Sequence, residues 1–598
     1  MLNYMTKAQI DAIRMTMRQE MQQHLPVWEL AAKYMAPRRV KTDGKRISGE
    51  RKDQHIIRNQ AGQSLRTFVS GMMNGATPRS RPWFDLVASE PGMRDKSSVK
   101  NYMEASEKNL NNYFQVSNLY RALPLMYKDV GLFSNAACAQ LPHPRYGFYF
   151  YPYAVGTFAF SCDAEGNTNM FTRDTTMTVR QVVEQFAPMG PNNHIDFSKM
   201  DKAIKASWDA ARYLDEVRIA QVIVPNPAYN PSMARTSLNP LASKFQAFTY
   251  VLGVGGGTNG IPIQGGTGFR DNARNQDNGK QETENPEFIK VSGYNYFPVI
   301  TPRWEIEPEG NYGIDGPGQV ALSDVITLQE QEKLRMEGSY KLVRPPMLGH
   351  SSLRRHHSSI LAGGITYMDD RGMNVGFKPA FEVGPALADL VANQKDVEMA
   401  IQTAFYEDLF RMFSSQEVKS HVTKAEMDER SAERMAVLAP VLGQWDFDIS
   451  SKIIGNSITI LDSQKRLPQR PPEMENQDIR PEYTSILAQA AKASLITTQE
   501  RFMNFAASMS DATGDPTLKR LAKGEQYLRE YAANIGLNPQ LLNNEGEFKK
   551  IVEDMSKANQ ERNKIEVAGQ QAQTAKTLSE TKLAEGSMLD TMATQSAV

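Results

Sequence analysis

Apolar positions along the chain change period twice, and those changes mark out its elements. Near the start, Ile10, Ile13, Met17 and Met21 recur at helical steps and predict a helix over residues 6–35, ended by Pro37 and a basic loop at 38–51. Further helices are expected near 55–73, 99–114 and 118–131, with Trp83 and Phe84 in a buried strand or turn between the first two of them. From Ala136 to Arg173 aromatics crowd the run, Tyr146, Phe148, Tyr149, Phe150, Tyr151 and Tyr153 above all, which predicts an antiparallel sheet with a turn at 165–167. Thr178 and Gln181 make a capping-box pattern that opens a helix to about residue 186. A shorter helix near 202–214 follows, with strands near 216–224, 245–252, 288–291 and 297–305, interrupted by a Gly/Asn-rich low-complexity loop at 253–281.

The second change comes at residue 319. Residues 319–337 hold strong helix formers without proline and meet Gly338, a residue suited to a C-terminal stop, so a helix is predicted over 319–338. Another, over 385–413, opens on Pro385 and aligns Leu390, Val397, Ile401, Phe405, Leu409 and Phe413 on one stripe; unbroken, it reaches roughly 40 Å. Between them Pro345 and Pro346 forbid helix, 360–367 reads as a strand, and Asp370, Arg371 and Gly372 make a turn before 373–377. This is a β-containing insert over 339–384 on two helical stalks. Beyond it, 414–422 is a polar loop, and Thr423 with Glu426 caps a third helix to about residue 442. Residues 449–460 show no single period, 468–481 is proline-rich and reads as a linker, and helices resume at 482–494, 497–509 and 516–535. From Asn543 the chain lacks proline, which predicts a long helix or, for want of apolar positions, a disordered tail over 546–598. The fold class is α+β, with three or four domains in 598 residues.

Charge alters this picture locally rather than in bulk. Lys plus Arg and Asp plus Glu both total 68, so the chain is not a bulk-charge binder of nucleic acid. The stalks carry Asp324, Glu330, Glu332, Glu337, Asp389, Asp396, Glu398, Glu407 and Asp408 against Lys333, Arg335, Lys395 and Arg411, whereas the insert is net basic. DNA adheres where its phosphates are neutralised, so if many copies placed these helices around an axis, their acidic wall would repel and centre a duplex. Arg354, Arg355 and Lys378 in the insert, and Lys419 and His421 in the loop, are the candidates to touch its backbone without reading sequence. Val397, Ile401, Phe405 and Leu409 are expected to bury themselves against the partner stalk and neighbouring copies. Cys138 and Cys162 are too few for a disulfide framework or a cysteine zinc site and fit a reducing compartment. No stretch approaches about 18 consecutive apolar residues and no signal-peptide core opens the chain, so a soluble protein is expected.

Catalytic signatures are missing. No phosphate loop of the form GxxxxGKS/T occurs: Gly44 and Lys45 run into Arg46, and Gly279 and Lys280 into Gln281. Gly255, Gly257 and Gly260 have dinucleotide spacing, but Pro262 follows where a helix must begin. His350, His356 and His357 cluster beside Arg354 and Arg355, whose charge repels a divalent cation. No enzyme activity, cofactor or metal is expected. The tyrosine-rich run at 146–153 has the rings of a single-strand binder but no interleaved Lys or Arg, so sheet-core packing is the reading.

A more specific resemblance is carried by Pro78, Arg79, Ser80, Arg81, Pro82, Trp83 and Phe84 after a helix, by Tyr312 and Gly313 turning into the next, and by Pro345 and Pro346 after that. With the order helix, β insert, helix, loop, capped helix, these resemble the head-to-tail connecting (portal) proteins of short-tailed, podovirus-type bacteriophages over roughly residues 5–540. The resemblance implies a wing region over 1–318, stem helices at 319–338 and 385–413, a clip at 339–384, a tunnel loop at 414–422, a wing helix and return at 423–467, a helical crown at 468–545 and a tail at 546–598. It implies a homo-oligomeric ring, usually a dodecamer, at one capsid vertex of the virion, assembled in the host cytoplasm. Such a ring passes double-stranded DNA in packaging and ejection and contacts the terminase motor, major capsid and scaffold proteins and tail adaptors, with no membrane. The competing expectation is a virion adaptor or scaffold protein without a DNA channel; a DNA-processing enzyme is disfavoured by the missing motifs.

Overall fold

A computed structural model of the chain describes residues 5–41, 53–93, 96–187, 195–197, 200–229, 242–254, 288–344, 347–348, 378–379, 386–414, 443–474, 479–483 and 545–580, with short pieces at 502–506, 508–509 and 527–528. The chain divides into two units, Met1–Ala491 and Lys492–Val598.

The first unit opens with helices. α1 (Lys7–Met35) is started by a capping box: the Thr6 hydroxyl accepts from the Gln9 amide at 3.4 Å while the Gln9 side chain accepts from the Thr6 amide at 3.0 Å. Its buried face carries Ile10, Met17, Met21 and Trp28, the helical steps of the sequence; Ile13 is half-buried at its edge. α2 (Gln60–Gly75), β1 (Phe84–Ala88), α3 (Ser97–Val116) and α4 (Leu119–Phe133) follow. α4 touches α1, α2 and α3, and it is apolar nearly all round, which is what a helix at the centre of a large core requires.

Two antiparallel sheets lie beside these helices. β2 (Cys138–His143) and β3 (Gly147–Pro152) form a hairpin. β4 (Phe158–Cys162), β5 (Thr168–Thr178), β6 (Glu216–Pro225), β7 (Phe245–Val254) and β8 (Lys290–Tyr294) make a five-stranded meander in chain order. Between β5 and β6 stand α5 (Val179–Phe186) and α6 (Lys202–Asp209); Thr178 and Gln181 form the expected capping box, at 3.3 and 3.0 Å. Val182, Val183 and Ile204 from these helices seal a small second core against Val217 and Ile219 of the sheet and Ile289 just before β8. β9 (Val299–Ile300) then returns to β2, completing the order β3-β2-β9. The aromatic run is largely core: Phe148 and Phe150 are buried, and Phe158 stacks on Phe171 with ring centroids 6.0 Å apart.

After a minimal hairpin of β10 (Glu305–Ile306) and β11 (Gly313–Ile314), a single turn at Pro317–Val320 leads into α7 (Leu322–Val343). The two-residue ladder β12 (Met347–Leu348) with β13 (Lys378–Pro379) precedes α8 (Ala386–Ala404) and α9 (Glu407–Ser414). A π-helical turn at Asp446–Ser450 runs into α10 (Ser451–Ser463), and β14 (Ile479–Tyr483) pairs antiparallel with β1, Phe84 opposite Tyr483.

Four expectations need correction. α7 passes through Gly338 to Val343: one glycine inside a helix costs about 1 kcal/mol, whereas the residue before a proline is driven out of helix, and Arg344, before Pro345, sits at φ −133°, ψ 72°. The segment 449–460, to which the mixed pattern assigns no element, is helical, with Ile449, Ile453, Ile454 and Ile460 buried in the core. The proline-rich 468–481 is no mere linker, since its end lies in β14, and Glu482, expected to begin a helix, is in that strand too; Pro481 is tolerated because the sheet has only two strands. The helix expected over 385–413 is two, as described below. The expected strands at 360–367 and 373–377, the loop at 415–422 and the capped helix at 423–442 lie outside the described residues.

In the second unit α11 (Glu545–Glu580) has 36 residues, about 54 Å of helix, and leaves Ile551, Val552 and Met555 exposed.

One buried ion pair ties the first unit together. Arg303, 1% exposed, donates through Nε and Nη2 to the two carboxylate oxygens of Asp448, 4% exposed, both at 3.1 Å; its backbone amide donates to Asp448 at 3.2 Å, and Nη2 also reaches the Gly166 carbonyl at 2.7 Å. Gln444 donates to the same carboxylate at 2.9 Å, and Trp445 next to it stacks on Tyr127, centroids 4.6 Å apart. Removing one partner strands a buried charge: Asp448→Asn is expected to cost about 3–5 kcal/mol in urea unfolding, with most of the loss regained in Arg303→Met/Asp448→Leu.

Glu107 of α3 titrates against the fold. Burial, then the neighbouring Asp85 and Glu104 carboxylates, push it up from 4.5 to about 7. The folded chain therefore holds this proton more tightly than the unfolded one, and stability falls as pH rises from 4.5 to 7, with the full cost above 7. Glu107→Gln is expected to raise the melting temperature at pH 8 by about 2 °C or more and to leave it unchanged at pH 4, as read by thermal unfolding at the two pH values.

Candidate functional site

The acidic helices α7 and α8 pack against each other, and a strap from the N-terminal region crosses both. Gln329 of α7 accepts from the backbone amides of Ile57 at 2.7 Å and Arg58 at 3.0 Å and donates to the Arg58 carbonyl at 2.8 Å, so one side chain satisfies three main-chain groups of the strap. That anchorage aims Arg58 between the helices, where its guanidinium pairs with Glu332 of α7 at 3.6 Å and with Glu398 of α8. Glu332 is buried and accepts from Arg335 at 2.9 and 2.5 Å and from Gln394 of α8 at 3.1 Å; the Arg335 hydrogen bonds hold its carboxyl below the usual range. The interface between the paired helices is thus polar at Glu332 and apolar at its inner end.

At that inner end the second helix breaks. Tyr406 has φ +54°, a left-handed conformation that costs a side-chain-bearing residue about 1–3 kcal/mol. The break coincides with dense packing: Ile401, Phe405, Leu409 and Phe410 are all buried, and the Phe410 ring lies edge-on to Phe68 of α2 at 5.8 Å. Gly71 makes the seat, since a Cβ there would lie 2.0 Å from Phe410 Cδ1. Below it Glu407 is buried, accepting from Ser64 at 2.7 Å and from Arg411 at 2.5 Å.

Of the residues singled out from the sequence, Ile401, Phe405 and Leu409 are brought together in the core of a single chain, and Val397 is half-buried against it. Lys378 stands in β13, opposite Leu348. Arg354, Arg355, Lys419 and His421 lie outside the described residues. The acidic helices are less bare than their composition suggests: Glu332, Glu398 and Glu407 are engaged within the chain, while Glu330, Glu337, Asp389, Asp396 and Asp408 are exposed. Arg58 and Gln329 carried no sequence signal, being about 270 residues apart and unremarkable in their own windows. Among the described residues no helix is long and apolar enough to cross a membrane, and no group of three or more His, Cys, Asp or Glu side chains is placed to hold a metal.

Removing the strap should loosen the helices without unfolding the unit. Arg58 is 40% exposed and its ion pairs are screened, so Arg58→Ala is expected to cost about 1 kcal/mol, read as roughly fivefold faster amide exchange confined to α7 and α8.

Residues 7–250 and 274–542 match the family model described as bacteriophage head to tail connecting protein. The chain is 27% identical over 544 residues to the portal protein of Salmonella phage epsilon15, covering 91% of this chain and 90% of that one. It is 27% identical over 527 residues to the probable portal protein of Bordetella phage BPP-1, covering 88% and 87%. A chain from the virion of a native gene transfer agent particle aligns with a TM-score of 0.32 at 10% identity, over 74% of this chain and 85% of that one. Because the family model spans well over half of its length, this chain belongs to the bacteriophage head to tail connecting protein family.

Proposed function

We propose that the chain is a portal subunit: many copies close into a ring, a dodecamer by family resemblance, at one capsid vertex of the virion, and genomic double-stranded DNA passes through the ring during packaging and ejection. The protein is structural and does no catalysis. In this reading α7 and α8 are the stem, the segment between them is the clip, and residues 414–422 form the tunnel loop, with Arg354, Arg355, Lys378, Lys419 and His421 nearest the DNA. The terminase motor, capsid and scaffold proteins and tail adaptors dock on the ring from outside.

The observation that carries the reading is the mixed outer surface of the paired helices. Glu330, Glu337, Asp389 and Asp396 are exposed there beside Lys333, Lys341 and Lys395, a mixed and slightly negative surface that offers phosphates no continuous basic track and so keeps a duplex from sticking. On the same helices Leu334, Tyr340, Leu342, Val343 and Met399 are more than half exposed, which is unusual for a soluble helix with nothing against it. In a closed ring each copy presents both the covering and the covered face, and such apolar residues find partners on the next copy.

Tyr340→Asp/Val343→Asp tests this directly. Both residues are exposed, so circular dichroism and melting temperature are expected to stay unchanged, while light scattering shifts from ring mass to monomer mass. Negative-stain images of the parent protein should show rings with an open centre. Solid particles, or rings that survive the double substitution, overturn the reading.

A further inference from the structure

The tyrosine-rich run lacks cations in sequence, but the fold brings them to it. Between β3, α4 and one face of the five-stranded sheet lies a groove of about 590 Å³. Its wall carries Tyr149 and Tyr151, ring centroids 5.0 Å apart, with Tyr151 42% exposed. The row of rings continues along the hairpin to Tyr146, 6.3 Å from Tyr149, and to His143, stacked on Tyr146 at 4.9 Å. Arg121 comes from α4, Arg173 from β5 and Lys290 from β8, so three separate elements supply positive charge to one lining that holds no Asp or Glu.

None of the three cations has a carboxylate partner among the described residues. The Arg173 guanidinium lies over the Tyr153 ring at 4.0 Å, and its Nε is buried with no hydrogen-bond partner. The Tyr153 face holds that guanidinium at the groove wall, where its positive charge has no carboxylate among the described residues to neutralise it. The wall strand is closed to a peptide adding as a further strand: the Asn118 side chain donates to the Phe150 carbonyl at 2.7 Å and accepts from its amide at 2.8 Å, and Pro152 has no N–H to offer. What remains open to a ligand is flat ring surface and positive charge without a carboxylate partner among the described residues.

We propose that this groove binds a single strand of nucleic acid, with bases stacked on Tyr149 and Tyr151 and phosphates on Arg121, Arg173 and Lys290. That combination of aromatic platforms and a basic track is how single strands are held without sequence preference. The site is distinct from the acidic helices, and it does not depend on ring closure.

The test is fluorescence anisotropy of the intact protein with fluorescein-labelled oligo(dT) of 20 nucleotides and with a 20-base-pair duplex. Binding of the single strand should weaken about 20-fold between 50 and 200 mM salt if three phosphates are neutralised. Arg173→Ala/Lys290→Ala is expected to lose about tenfold in affinity and much of that salt dependence. Tyr149→Ala/Tyr151→Ala should lose at least fivefold for oligo(dT) and nothing for the duplex, while Tyr149→Phe/Tyr151→Phe, which keeps the rings, retains binding. Rings seen by electron microscopy in all variants separate a failure of this site from a failure of assembly. Unchanged oligo(dT) affinity in the tyrosine variants, equal losses for single strand and duplex, or displacement of oligo(dT) by lower concentrations of poly(Glu,Tyr), which marks an acidic-peptide groove instead, each overturn the assignment.

Discussion

The first unit depends on one closure. Arg303 and Asp448 are 145 residues apart, and the acidic helices α7 to α9 all fall between those two points. The entropy of closing so long a loop grows only slowly with its length, so the length of the excursion adds little to the cost of the fold. What matters is that both ends are fixed. The buried pair fixes them with several hydrogen bonds at once, and the Trp445 ring on Tyr127 places the returning end on the central helix α4. An ion pair at that depth adds little stability beyond what an apolar pair of similar size gives; its distinctive contribution is geometric, because a bidentate guanidinium tolerates few arrangements.

Much of this architecture was legible in the sequence wherever a local signal had a local cause. The capping boxes at Thr6 and Thr178, the apolar face of α1 and the strands on either side of the long glycine-rich loop all follow from neighbouring residues acting on each other. The misreadings share the opposite origin. Gly338 reads as a stop only if the nearer of two signals is taken as the stronger, and the proline seven residues on is the stronger. The isoleucines of α10 give no period that assigns an element, and their helix rests on the core that buries them. Nothing near Phe405 announces a break, which coincides with packing on α2, and β14 pairs with an edge offered by β1, some 395 residues earlier.

Electrostatics shows the same division. Counting charges along α7 and α8 gives an acidic surface, yet Glu332 and Glu398 are taken up in binding the helices to the strap, and the exposed carboxylates that remain stand beside Lys333, Lys341 and Lys395. Conversely, the tyrosine run is free of cations along the chain and surrounded by them in space. Net charge in a window therefore states how many charges a segment has, not how many it presents, and the difference is set by residues hundreds of positions away.

The seat at Gly71 has a mechanical meaning. The seating of α9 depends on how deeply Phe410 can sink, and that depth is set by a missing methyl group on a helix more than three hundred residues upstream. α9 is consequently steered like a rudder on a pintle: the blade is the short helix, the pivot is the left-handed residue Tyr406, and the socket belongs to the N-terminal bundle.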